Sequence, residues 1–121
     1  MEVRRAARSV ALVVAAVVLA AGAAGAHHGW SSYDEDRRVT VTGPVEEASF
    51  EHPHVTLRVR ADDRVWLVVL PPPTRAAALG LSAQVLRPGV RVSAEGHPHR
   101  REPGEMRAVR LVVGERSFRL R

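Results

Sequence analysis

Val39-Thr40-Val41-Thr42 alternates apolar and polar residues with a period of two, and beyond Gly43-Pro44 the pattern resumes from Val45 to Phe50. Such alternation is what a strand with one buried face requires, since successive side chains point to opposite faces. The interruption constrains the fold more than the alternation does. Glycine inside a strand marks a bulge or a tight bend, and proline is tolerated only at an edge or a bulge. A long first strand that bends midway can join two sheets, as a small closed barrel demands.

The remaining segments fit that reading. Val55, Leu57 and Val59 alternate with Thr56, Arg58 and Arg60, predicting a half-buried second strand, and Asp62-Asp63 supplies a turn. Val65 to Leu70 is continuously apolar and predicts a third strand covered on both faces. Pro71-Pro72-Pro73 ends it, because three residues in succession lack an amide donor. Thr74 to Leu86 is the one helical stretch: Ala76-Ala77-Ala78-Leu79 favours helix, Gly80 can end a turn and Ser82 can cap a second short one. Pro88-Gly89 is a turn, Val90, Val92 and Ala94 alternate as a fourth strand, and Gly96 to Gly104 reads as a loop. Met106 to Val113 forms a fifth strand and Ser117 to Leu120 a last short one. Three strands, a short helix and two strands is the order of an OB-fold, the five-stranded Greek-key barrel. The expected class is therefore all-β: a five- to six-stranded OB-fold-like barrel over 39–121, with one short helix between strands three and four. A small open β-sandwich is the alternative.

Upstream, Arg4, Arg5 and Arg8 precede an uncharged run from Val10 to Ala21, and Ala24-x-Ala26 fits a signal-peptidase site. That run is shorter than the roughly 20 apolar residues a spanning helix needs. Residues 1–26 are therefore expected to be a secretory signal removed after Ala26. Cleavage would leave a periplasmic or secreted protein without a membrane anchor. Residues 27–38 read as an extended arm, with Trp30 and Tyr33 either docking it on the barrel or walling a site beside His27.

Composition narrows the chemistry. Cysteine is absent and Met106 is the only methionine beyond the initiator, so soft thiolate sites are excluded. The formal net charge is +5, carried by arginine. Nucleic acid is the obvious partner for a small basic barrel. The expected export argues instead for a solvated basic face and no nucleic acid.

His27-His28-Gly29-Trp30 with Tyr33-Asp34, then Thr42-Gly43, Pro53-His54-Val55 and Gly96-His97-Pro98, resemble an uncharacterised bacterial exported family, domain-of-unknown-function family 6152. The likeness covers nearly all of the chain after the leader. It implies an OB-like fold and an exported location, and it carries no established activity. Where that pattern has Asn-Pro-His, this chain has His52-Pro53-His54.

The histidines remain: His27, His28, His52, His54, His97 and His99. Cleavage after Ala26 would give His27 a free α-amine beside its imidazole. Amine, ring and the adjacent His28 could then complete the tetragonal nitrogen set that Cu(II) prefers, with Zn(II) or Ni(II) as alternatives. The two His-Pro-His motifs fall between strands one and two and between strands four and five. In an OB-fold those two loops frame the usual binding face. On extended backbone, residues i and i+2 share a face, so each pair could address one ion. Asp34, Glu51 and Glu95 could orient the rings. Three classes follow: a module binding a divalent metal, first choice Cu(II); an OB-type adaptor holding a glycan, peptide or protein, with the histidines and Arg100-Arg101 as contacts; and, least favoured, a copper–oxygen enzyme. No catalytic triad or carboxylate pair stands out, so no catalytic residue is named.

Overall fold

The computed structural model describes residues 29–121. The expected leader, with His27 and His28, lies outside the described residues. Ser31–Arg121 forms one compact unit, and Trp30 belongs to the unit before it. A short 3-10 turn, Trp30–Ser32, precedes six strands: β1 Val39–Ser49, β2 Thr56–Ala61, β3 Arg64–Val69, β4 Arg91–Pro98, β5 Glu105–Val113 and β6 Arg116–Arg119. One helix, α1 Pro73–Ala78, lies between β3 and β4.

The strands run in the order β3-β2-β1-β4-β5-β6, and β3 also pairs with β5 in parallel. That last pairing closes five strands into a barrel and leaves β6 outside it, attached only to β5. The first strand does what its sequence demands. Its early half pairs with β4, from Val39 opposite Gly96 to Pro44 opposite Arg91. Its later half pairs with β2, with a register shift between Val45 and Glu47. Gly43 sits where the bend brings the strands together. A Cβ there would lie 1.8 Å from the Arg60 carbonyl oxygen, so only glycine fits.

Inward residues fill the barrel. Val41 and Val45 of β1, Leu57 and Val59 of β2, Val68 of β3 and Leu111 of β5 are all buried in one cluster. Each such side chain contributes about 1.5–3 kcal/mol relative to exposure. Ala76 of α1, with Leu81 and Leu86 after it, joins the same cluster.

Three expectations need correcting. The helical stretch is shorter than Thr74 to Leu86: α1 begins with Pro73 and stops at Ala78. After Gly80 only one further turn forms, its Val85 amide donating to Ser82 Oγ at 3.2 Å. The third strand is not covered on both faces, since Val65, Trp66 and Leu67 are half-buried and only Val68 and Val69 fully so. Its parallel pairing with β5 spans just Leu67 to Val69, leaving the earlier half uncovered on that side. Finally, the fourth strand does not end before Gly96. It runs on to Pro98, opposite Met106, so His97 is a buried strand residue and not a loop residue.

The extension of β4 is tied to a bulge. Its register against β5 shifts between Glu95 and Gly96, and a Cβ on Gly96 would meet the Arg107 carbonyl oxygen at 2.0 Å. Along β5 the buried residues are Met106, Ala108 and then Leu111, a step of two followed by a step of three. The extra residue resets the alternation, so Arg110 faces outward and Leu111 inward.

Candidate functional site

The arm is fastened to the barrel where β4 and β5 begin to separate. Tyr33 forms an isolated bridge with His99, and the Asp34 amide donates to the Pro98 carbonyl at 2.9 Å. Tyr33 is 6 % exposed, and its hydroxyl donates to Glu105 Oε1 at 2.9 Å. Its ring meets the His99 ring edge-on, centroids 5.2 Å apart, with the Arg107 guanidinium 6.0 Å from the Tyr33 ring centre. Burial, followed by the neighbouring Glu105 carboxylate, pushes the Tyr33 phenol well above the usual tyrosine range. Burial also lowers Arg107 from the ordinary arginine value. Tyr33 thus docks the arm, as one of the two expectations for it held. Arg100 is engaged there as well, its amide donating to the Ser32 carbonyl and its Nε to the Ser31 carbonyl at 3.1 Å.

Each described histidine has a definite placement. His52 is exposed in a turn with a cis His52–Pro53 peptide bond, so this motif is a turn and not the extended backbone expected of it. His54 is half-buried and its Nδ1 lies 3.0 Å from the Leu70 carbonyl oxygen. A carbonyl can only accept, so Nδ1 carries the proton. His97 makes the same arrangement with the Arg37 carbonyl at 2.6 Å. His99 does the opposite: its Nδ1 accepts from the Arg101 and Glu102 amides, both at 3.0 Å. In the neutral ring the proton must then sit on Nε2, which removes the lone pair a metal would need there.

Along the sheet the two motifs are linked through β3 and β5. Thr56 lies opposite Val69, Val69 opposite Arg107 and Arg107 opposite His97. Those three strand-to-strand steps make a path of about 14 Å along the barrel wall, at roughly 4.8 Å each. Among the described residues no group of three or more His, Asp or Glu could hold a metal ion. Of the three carboxylates expected to orient the rings, Glu51 is exposed, Glu95 takes Arg38 at 2.6 Å, and Asp34 Oδ1 is 3.9 Å from Arg100.

The β2 part of the usual OB binding face is charged but compensated. On β2, Arg60 pairs with Glu46 at 2.5 Å and Arg58 with Glu47 at 3.6 Å. The other side differs. An open depression of about 610 Å³ lies over β4, β5 and β6, lined among others by Arg38, Glu95, His97, Arg110, Arg119 and Arg121. Four guanidiniums face one carboxylate in that lining. Arg121 reaches Glu35 at the rim, and this hydrogen bond is the main reason the Glu35 carboxyl sits below its ordinary range. The sequence alone assigned no role to Arg38, Arg110, Arg119 or Arg121. The available signal was Arg119-Leu120-Arg121, whose arginines share a face at period two. Arg110 could not be assigned a face without knowledge of the bulge.

Residues 14–107 match the Family of unknown function (DUF6152). The chain belongs to that family. Membership agrees with the resemblance drawn from its His-His-Gly-Trp, Pro-His-Val and Gly-His-Pro segments. No curated protein matches the chain. Among solved structures it is similar to a chain of the S. pombe Stn1-ten1 complex, with a TM-score of 0.54 and 17 % identity. The alignment covers 66 % of this chain and 60 % of that one, so this chain spans less than two thirds of its structural neighbour. At that identity the likeness is one of fold.

Proposed function

We propose that this chain is a non-enzymatic OB-type binding module of the cell envelope, whose ligand site is the arginine-lined depression over β4, β5 and β6. The observation that carries this reading is the depression itself. Its volume of about 610 Å³ is in the range of small-ligand sites, and it concentrates polar donors that face outward. The adaptor alternative from the sequence survives in this form with a different surface. Arg100, one of the contacts first expected, instead fastens the arm through the Ser32 and Ser31 carbonyls. Nucleic acid is not the proposed partner, because compensated arginines on β2 offer no continuous basic track for a phosphate backbone. The test is thermal unfolding against metal ions, oligosaccharides and small anions, each with and without a chelator. Stabilisation by a non-metal ligand that persists in chelator supports the module. Stabilisation seen only with a metal, and abolished by chelator, overturns it.

A second reading keeps the metal. His54 and His97 both donate Nδ1–H to a backbone carbonyl, the orienting bond characteristic of metal-bound imidazole. On this reading each of those rings would present Nε2 to a divalent ion, Cu(II) first and otherwise Zn(II) or Ni(II).

A further inference from the structure

We infer that the depression takes a tetrahedral oxyanion, a phosphate or sulfate group on a small molecule, with Arg110 and Arg119 as its principal contacts. The inference rests on the binding reading above and names the ligand class for the same site. It begins from an arrangement that is unfavourable in the empty protein. Arg110 of β5 and Arg119 of β6 are directly opposite each other in the strand register. Side chains so placed have Cβ atoms about 5 Å apart, and like charges in that position repel. On β2 the two exposed arginines are each given a carboxylate: Arg58 has Glu47 and Arg60 has Glu46. Among the described residues neither Arg110 nor Arg119 makes an ion pair. Arg110 Nε donates to Ser117 Oγ at 2.9 Å, which aims its guanidinium along β6 without neutralising it.

Two further arginines complete the enclosure. Arg38, ahead of β1, is held by Glu95, and Arg121, after β6, is held by Glu35. Their carboxylate partners fix them in place, so ordering them on binding loses less side-chain entropy than ordering free arginines would. Glu95 is also the register partner of Arg110 on β4, and it already serves Arg38. The guanidiniums therefore arrive from three directions: ahead of β1, from β5, and from β6 with the residues after it. A planar carboxylate is satisfied by one bidentate arginine, whereas donors converging from several sides match the oxygens of a tetrahedral anion. The depression is larger than one such anion and leaves space for the group that carries it.

The experiment uses the full chain, with inorganic pyrophosphate, inorganic sulfate and citrate as probes, followed by backbone amide shifts. Saturable shifts at Arg110, Ser117 and Arg119 with pyrophosphate or sulfate are expected, and the tighter of the two identifies the source chemistry. Arg110→Gln and Arg119→Gln should each weaken that binding at least about tenfold. The control substitutions Arg58→Gln and Arg60→Gln should leave it unchanged. Because both site residues are exposed, folding is retained. Arg119→Gln should raise the melting temperature of the ligand-free chain by relieving repulsion, while abolishing the rise that pyrophosphate produces. Citrate binding tighter than either inorganic anion, lost with the same two arginines, overturns the oxyanion assignment and leaves the binding module standing. Equal weakening by the Arg58 and Arg60 substitutions overturns it as general electrostatics. No saturable shift with any probe removes both the ligand class and the site.

Discussion

Tyr33 is the only tyrosine in the chain, so its titration can be followed without interference from another phenol. It holds the arm through a buried ring and a hydroxyl donated to Glu105. Ionising it would place an anion in a desolvated position against a carboxylate. That is why the folded protein holds the proton more tightly than the unfolded chain. The sign follows: a group with a raised folded pKa stabilises the fold fully below its unfolded pKa of about 10, and that contribution is lost as pH rises beyond it. Stability should therefore be flat with respect to this group up to about pH 10. Above that it should fall by up to about 1.4 kcal/mol per pH unit. Absorbance near the phenolate band should show no ordinary transition around pH 10 while the protein is folded, and a normal one in denaturant.

Tyr33→Phe provides the second arm of the same test. It removes the donor and leaves a half-buried carboxylate short of a partner, at about 1.5–3 kcal/mol, the range for hydrogen bonds to charged groups. The alkaline loss of stability should disappear with it. In hydrogen exchange, the Asp34 and Arg100 amides, which bond the Pro98 and Ser32 carbonyls, should open before the core strands do. A phenol titrating near 10 in the folded chain, or a Tyr33→Phe change below about 0.5 kcal/mol, would refute the reasoning.

Gly96→Ala should destabilise by about 3 kcal/mol or more in chemical denaturation, since its Cβ meets backbone at 2.0 Å; Gly89→Ala, with nothing within 4 Å but a φ of +89°, should cost only about 1–2 kcal/mol. His99→Ala should speed exchange of the Arg101 and Glu102 amides and leave metal uptake unchanged, because its Nδ1 serves those two amides. Arg121→Gln should return the Glu35 carboxyl upward towards its ordinary pKa in a carboxyl-detected titration. On the copper reading drawn from the sequence, a chain beginning at His27 should bind one equivalent of Cu(II), and an added alanine in front should abolish that uptake; equal binding by both would refute the amine chelate.

Legibility in the sequence followed locality. The alternation from Val39 to Val45, the close approach at Gly43 and the triple-proline stop depend on neighbours a few residues apart and were found where expected. The register shift of β1, by contrast, falls beyond Val45 and ends the alternation expected to run on to Phe50. What could not be read was longer in range. Thr74 to Leu86 has helical composition throughout, but Gly80 at a φ of +90° ends the first segment, and the core takes Leu81 and Leu86 from the irregular chain beyond it. His97 looked like a loop residue because Gly96 and Pro98 flank it. Pairing to β5 keeps it in a strand, and the Arg37 carbonyl of the arm covers it.

The same bulge separates the histidine reading from the arginine reading. Period-two counting from Met106 would place Arg110 on the buried face with Ala108, an untenable position for a guanidinium, and would put Leu111 outside. One additional residue opposite the Glu95–Gly96 step inverts both, and Gly96 permits it by letting the strands approach to backbone contact. Once inverted, Arg110 stands opposite Arg119 on a strand that the closed barrel does not need. A five-stranded barrel is complete without β6, whose outward residues are Arg116, Ser117 and Arg119. Only Phe118 of that strand is buried, so its contribution to the core is small beside the charge it adds to one face. Repulsion across β5 and β6 works against a strand held by so little apolar surface, and an anion between them would reverse the sign of that interaction.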